Sequence, residues 1–273
     1  MQLHREDVLD GALTVLEGEG LDGLTMRRLA SHLGVQPGAL YWHFANKQAL
    51  LDAMADRLVE GVGEALPTAP WDGQLEIIAA RLRHALLAHR DGARLVAGTY
   101  VDERNTRLVA HRIIDVLEAA GLPLDRAAWV GFALSSYVLG HTIEEQAQAD
   151  LVAGRAWADK VHSLNEPEDP RHARAFAAFF DADPAERFAY GLRVFLDGIR
   201  HQLRVPEAVR GATAPRARAD KARADKARAD KVRAGKVRAG KAKAPSRTTT
   251  ARAAPIAEAT AVLINDNREE VGP

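Results

Sequence analysis

The sequence predicts an all-α protein, and three observations carry that prediction. Apolar residues recur three and four positions apart through residues 1–203, no segment of useful length alternates with period two, and the interruptions fall on glycine and proline. Val8, Leu9, Ala12, Leu13 and Leu16 make the first apolar stripe, which stops at Gly18-Glu19-Gly20. Thr25 is the expected cap of a second, short helix whose inward face is Leu29, Ala30 and Leu33. Gly34 lets the chain leave through a left-handed turn, Pro37 suits a first helical position, and Gly38 to Phe44 makes about two further turns. Asn46 caps the next helix, which keeps Leu50, Leu51, Met54, Leu58 and Val62 on one face until Pro67.

From Trp71 the periodicity continues, with breaks at Asp91-Gly92, Gly121-Leu122-Pro123 and residues 165–170. Two helices stand apart. The one over residues 125–150 is apolar round most of its first half, with Trp129, Val130, Phe132, Leu134, Tyr137 and Val138, and the one from Pro184 carries Phe188, Leu192, Phe195, Leu196 and Ile199. A helix that is apolar all round needs cover on every side, which a second subunit supplies by packing two helices from each protomer about a two-fold axis.

Length and composition narrow the function classes. A chain of 273 residues with 47% hydrophobic and 27% charged side chains can bury its own core. It has no cysteine, which excludes disulfides, thiolate metal sites and cysteine nucleophiles. The longest apolar stretch, Ala127 to Gly140, is 14 residues, short of the roughly 18–20 that span a bilayer. Met1 to Glu6 does not lead into an apolar secretory core, so a cytoplasmic location is expected. The net charge of zero hides a division: residues 1–203 hold 20 Lys+Arg against 29 Asp+Glu, and residues 204–273 hold 17 against 8. An acidic body with a basic tail points to an anionic partner, nucleic acid above all. Within the tail, A-R-A-D-K runs three times from Ala217 and V-R-A-G-K twice from Val232; successive units advance by about 140° on a helix and build no apolar face, so a disordered tail is expected.

The segment Leu24 to Lys47 carries the strongest chemistry. Helix, tight turn and helix is the arrangement that lays a second helix in the major groove while flanking groups hold phosphates. Arg27 can bond a guanine edge, and Tyr41, Trp42, His43 and Lys47 can donate to phosphates. Leu40 and Phe44 read equally well as packing residues, whereas Tyr41 and Trp42 together read as surface.

The run L-T-M-R-R-L-A-S-H-L-G-V-Q-P-G-A-L-Y-W-H-F-A-N-K-Q-A-L-L, Leu24 to Leu51, closely resembles the DNA-binding domain of the TetR family of bacterial transcriptional repressors. Ala85 to Arg94 with Gly98-Thr99, and Leu139 to Gln146, look like the regulatory domain of that family's tetracycline-repressor class, so the resemblance covers residues 3–203. It implies a DNA-binding domain over residues 1–47, a helical regulatory and dimerisation domain over 48–203, and a basic tail over 204–273 outside the resemblance. It further implies a homodimer that binds a palindromic double-stranded operator and leaves it when a small molecule occupies the regulatory core.

Carried over position by position, the DNA contacts fall on Thr25, Arg27, Tyr41, Trp42, His43 and Lys47, with Pro37, Gly38 and Ala39 in the recognition helix. Pro37 and Gly38 bring no side-chain donor, so the base sequence read differs from that of the tetracycline-repressor class. On the regulatory side that class holds magnesium and drug with a histidine, a threonine and a glutamate that fall on Val96, Thr99 and Glu144, the glutamate acting from the partner subunit, and with a histidine, an asparagine, a phenylalanine and a glutamine that fall on Gly63, Ile78, Leu82 and Ile113. Valine and isoleucine offer no ligand atom, so neither a metal nor any other cofactor is expected. A lipophilic effector is expected instead, lined by Ile78, Leu82, Val96 and Ile113 and oriented by Thr99, Tyr100 and Glu144.

Other polar residues read as structure. His141 and Glu144, with Glu145 beside them, lack the further carboxylates of a di-metal bundle. His89 is expected to help end a helix by meeting free carbonyls. Asp102-Glu103 and Glu144-Glu145 are sequence neighbours and point about 100° apart on a helix, so no hydrolytic pair or other enzymatic constellation is expected. The alternative reading is an architectural DNA-binding protein, insensitive to ligand, whose basic tail dominates and whose core only dimerises; a tail tolerated as a neutral repeat expansion stands beside it.

Overall fold

In the computed structural model, residues 3–99, 103–153 and 170–204 are described. All the regular structure among them is helical. Helix α1 (Arg5–Gly23) kinks at Gly20, α2 (Met26–His32) and α3 (Pro37–Tyr41) follow, and α4 (Lys47–Leu58) leads out of the small N-terminal bundle. Beyond it come α5 (Trp71–Leu87), α6 (Gly92–Ala97), α7 (Arg104–Ala119), α8 (Leu124–Ala153), α9 (Pro170–Asp181) and α10 (Pro184–Arg204).

The local signals act where the sequence placed them. Thr25 Oγ1 accepts from the Arg28 N–H at 3.2 Å and Asn46 Oδ1 from the Ala49 N–H at 2.8 Å, each such cap contributing about 1 kcal/mol. Gly34 sits at φ +66°, which a side-chain-bearing residue rarely adopts, and Pro37 opens α3. Two helices are shorter than the periodicity suggests. α3 ends at Tyr41, and α4 ends at Leu58 because the chain turns through Gly61 at φ +80°, so Val62 packs from a turn.

Two apolar clusters form. The first joins Val8, Ala12 and Leu16 of α1 to Leu29, Leu40, Phe44, Leu50 and Met54, and takes in Leu95 from α6. The second is built from Ile78, Leu82 and Leu86 of α5, Ile113 and Leu117 of α7, Leu134 and Val138 of α8, and Leu192 and Leu196 of α10. Each fully buried side chain of this size contributes roughly 1.5–3 kcal/mol.

Three polar clasps bind the elements together. Asp56 of α4 accepts from the Thr106 N–H at 2.8 Å and the Thr106 hydroxyl at 2.7 Å, holding the start of α7. Asp72 pairs with Arg200 and ties α5 to α10, and the hydrogen bond from that guanidinium holds its carboxyl below the usual carboxylate range. At the α5–α6 turn, Asp91 accepts from the Leu21 N–H at 2.8 Å, His89 Nδ1 meets Glu17 at 2.8 Å and Arg90 donates to the Gly18 carbonyl at 3.0 Å, so the end of α1 is docked on the turn. His89 therefore acts through a side chain of α1, a partner 72 positions away, rather than through the carbonyls of its own helix.

Candidate nucleic-acid interface

The α2–turn–α3 segment separates its residues into two sides. Leu29, Leu40 and Phe44 are buried, and they anchor the short helices to α1. Phe44 also lies under the Arg5 guanidinium at 4.1 Å, and the same Arg5 donates to the His43 carbonyl at 2.9 Å, which fixes the end of α3. On the other side Tyr41 is 51% and Trp42 89% exposed. Thr25, Arg27, Pro37, Gly38 and Lys47 are exposed with them, while Ala39 and His43 are half-buried. The equal reading of Leu40 and Phe44 thus resolves to packing, and Tyr41 and Trp42 lie at the surface.

Charge is distributed unevenly over this surface. Arg28 is neutralised by Glu19 at 2.6 Å, a pair in solvent that contributes little to stability. Among the described residues, Arg27 and Lys47 show no ion-pair or hydrogen-bond partner, so both cations are available to an external anion. Arg27, Arg28 and Thr25 line an open depression of about 900 Å³ that also includes Glu19 and Asp22. Arg5 is the residue that sequence reasoning missed. Its partner lies 38 positions away, and no local pattern marks it.

On the regulatory side, Ile78, Leu82 and Ile113 meet in the second apolar cluster and half-buried Val96 packs against it. The Thr99 hydroxyl donates to the Val96 carbonyl at 2.9 Å. Glu144 is exposed on α8, away from that cluster, and Tyr100 and Asp102 lie outside the described residues. At Gly63 an added Cβ would stand 2.8 Å from backbone atoms of Leu108 and Val109, so α7 passes directly against this position. A second depression, of about 410 Å³, is lined by Glu144 together with Tyr137, His141, Gln148, Phe179 and Arg187. Among the described residues, no group of three or more His, Asp or Glu is placed to hold a metal ion, and no helix is long and apolar enough to cross a membrane.

A family model described as bacterial regulatory proteins, tetR family, matches residues 8–54, and one described as tetracyclin repressor-like, C-terminal domain, matches residues 65–203. The chain belongs to the TetR family. Among TetR proteins it is 38% identical over 213 residues to the tetracycline repressor protein class A from transposon 1721 of Escherichia coli, covering 77% of this chain and 96% of that one. Two solved TetR-like structures add their bound partners. The Streptomyces coelicolor TetR family protein ActR in complex with (S)-DNPA is 29% identical, with a TM-score of 0.63 over 73% of this chain and 98% of its own. BioQ with its natural double-stranded DNA operator is 31% identical, with a TM-score of 0.56 over 72% and 98%.

Proposed function

We propose that this protein is a ligand-responsive transcriptional repressor that binds a palindromic operator as a homodimer and is released by a small molecule. The observation that carries the reading is the two-sided α2–α3 segment and the start of α4, where an indole and two cations, unpaired among the described residues, face solvent over a closed apolar floor. In this reading Arg27, Pro37, Gly38 and Ala39 face base edges. Thr25, Tyr41, Trp42, His43 and Lys47 hold phosphates. Residues 1–47 form the DNA-binding unit, 48–203 the regulatory and dimerisation unit, and 204–273 a basic tail that adds contacts to phosphate without reading sequence.

The second copy is supported by the outer face of α8 and α10. Trp129 is 62%, Phe132 68% and Tyr190 65% exposed, next to Val194 and to Gly140 and Gly198, whose Cβ positions meet nothing within 4 Å. Bulky rings beside small residues suit close helix packing, and a two-fold axis through this face makes a four-helix interface. Such a dimer meets half-sites when its recognition helices stand about 34–36 Å apart.

The effector, a lipophilic molecule lodged among Ile78, Leu82, Val96, Thr99, Tyr100 and Ile113 with Glu144 reaching it from the second subunit, acts by linkage. A ligand that prefers the conformation with mis-spaced recognition helices lowers operator affinity, and DNA lowers ligand affinity by the same factor. In this reading the protein works in the cytoplasm, where its operator DNA is. Footprinting on the DNA flanking its own gene tests the reading: protection of a discrete palindrome at moderate salt is expected. Diffuse coverage that vanishes with salt overturns it in favour of an architectural protein.

A further inference from the structure

Between the end of α2 and Tyr41 the chain reads L-G-V-Q-P-G-A-L, residues 33–40, and Gln36 carries the only side-chain hydrogen-bonding group in that run. In the repressor proposed here the start of α3 faces base edges, yet Pro37, Gly38 and Ala39 present only carbon to them. Such residues can touch a thymine methyl and can neither donate to a base nor accept from one through a side chain. Hydrogen-bonded side-chain readout at the start of this helix therefore has a single source.

Gln36 stands at the N-cap of α3, a position whose side chain ordinarily turns back to accept from the helix backbone. Thr25 and Asn46 do so at the caps of α2 and α4. The Gln36 amide makes no such bond; it is exposed and, among the described residues, has no side-chain partner. Its backbone is fixed all the same. The Val35 N–H donates to the Ala30 carbonyl at 3.0 Å, half-buried Val35 packs against the N-terminal apolar cluster, and the Gln36 carbonyl accepts from the Ala39 N–H at 2.9 Å. A free amide on a rigid base makes a specific contact with little further ordering to offset it. An added Cβ at Gly34 or Gly38, to either side, would meet nothing within 4 Å, so the surface flanking Gln36 is clear for a groove.

We infer that Gln36 is a specificity-determining residue that reads one adenine in each operator half-site, its Oε1 accepting from the adenine N6–H and its Nε2 donating to N7. Adenine shows one acceptor and one donor side by side in the major groove, and the amide meets both. Guanine shows two acceptors, and cytosine and thymine one hydrogen-bonding group each, so none of them satisfies both halves of the amide. Preference for that base over the other three is expected to be roughly tenfold to a hundredfold. The inference rests on the chain being an operator-binding repressor, and it adds to that reading the residue and the base by which an otherwise apolar helix start discriminates.

The test selects bound duplexes from a randomised pool with the full chain and with its Gln36→Ala and Gln36→Glu variants, matching thermal melts showing both variants folded. The unaltered chain is expected to return a palindromic motif with one A·T pair in each half that Gln36→Ala leaves random while the other positions persist. Gln36→Glu is expected to convert that pair to C·G, because a carboxylate only accepts and cytosine N4 donates. In the selected duplex, 7-deazaadenine at that position removes N7 and keeps both the base pair and its thymine methyl. Binding by the unaltered chain should then fall about tenfold, and binding by Gln36→Ala should not change. A motif identical for the unaltered chain and Gln36→Ala overturns the assignment, and so does indifference of the unaltered chain to the 7-deaza base. Uniform weakening of Gln36→Ala with its motif intact overturns it too, by making Gln36 a phosphate contact. If the unaltered chain selects no motif at all, the operator-binding reading falls together with the assignment.

Discussion

Two surfaces of this molecule expose large aromatic rings from helices, and their neighbours differ. Exposed with Tyr41 and Trp42 are Thr25, whose hydroxyl caps α2, and Arg27 and Lys47, cations without internal partners among the described residues. Along α8 and α10, Trp129, Phe132 and Tyr190 share their faces with Ala133, Gly140, Val194 and Gly198, and the cations there lie on the rings themselves, Arg126 over Trp129 at 4.6 Å and Arg193 over Tyr190 at 5.9 Å. An exposed ring among cations meets a phosphate backbone, where the ring's polar edge and the charges act together. The same ring beside glycine and alanine meets another helix, because small residues let two backbones approach. Aromatic exposure alone identifies neither partner; the residues one helical turn away do.

The sharpest way to break this comparison is to place a charge on the second surface. Phe132→Asp is expected to weaken self-association at least about a hundredfold, since an unpaired buried charge costs about 3–5 kcal/mol, with operator binding lost alongside it. Sedimentation that still shows a dimer would mean the α8–α10 face is not the interface. Arg27→Ala and Trp42→Ala act on the first surface: each should weaken operator binding roughly ten- to a hundredfold in a gel-shift titration while the dimer stays intact. Loss of the dimer in both would turn these residues into packing groups.

Smaller effects fall between and beyond the two surfaces. Burial raises the Asp91 carboxyl, but the Leu21 N–H and Arg94 outweigh it and hold its pKa below the ordinary carboxylate value. Its contribution is therefore complete above about pH 4 and is lost as pH falls through the lowered value. Asp91 has φ +56°, which asparagine tolerates, so Asp91→Asn removes the charge without straining the backbone. About 1–2 kcal/mol of stability should disappear at neutral pH, with a shallower loss on acidification in urea melts at a series of pH values. Removal of residues 204–273 should make the slope of log K against log salt shallower by about 0.9 for each phosphate contact the tail makes, and an unchanged slope excludes the tail from DNA binding.

What the sequence disclosed was short-range. Thr25, Gly34, Pro37 and Asn46 act through the backbone within three or four positions, so their signatures survive in any window that contains them. Tyr41 and Trp42 read as surface from the sequence, whereas the inward placing of Leu40 and Phe44 needed the direction of α3, which periodicity over five residues does not set. The clasps were illegible: His89 with Glu17, Arg83 with Glu145 and Arg5 with the His43 carbonyl join residues 72, 62 and 38 positions apart, and chain distance carries no trace of them. The family resemblance supplied the arrangement of DNA-binding and regulatory regions. It did not supply the cavity at His141, which is made by the meeting of α8 with α9 and α10.

The close passage of α7 over Gly63 bears on how this regulator can be re-engineered. The resemblance read from the sequence puts a drug-binding histidine of the tetracycline-repressor class on this position, yet a side chain here would strike peptide atoms of Leu108 and Val109 rather than a yielding rotamer. Grafting a tetracycline sensor onto this scaffold is therefore a problem of moving a helix. Combinatorial libraries that vary residue 63 will return misfolded clones until the segment around Leu108 is redesigned with it.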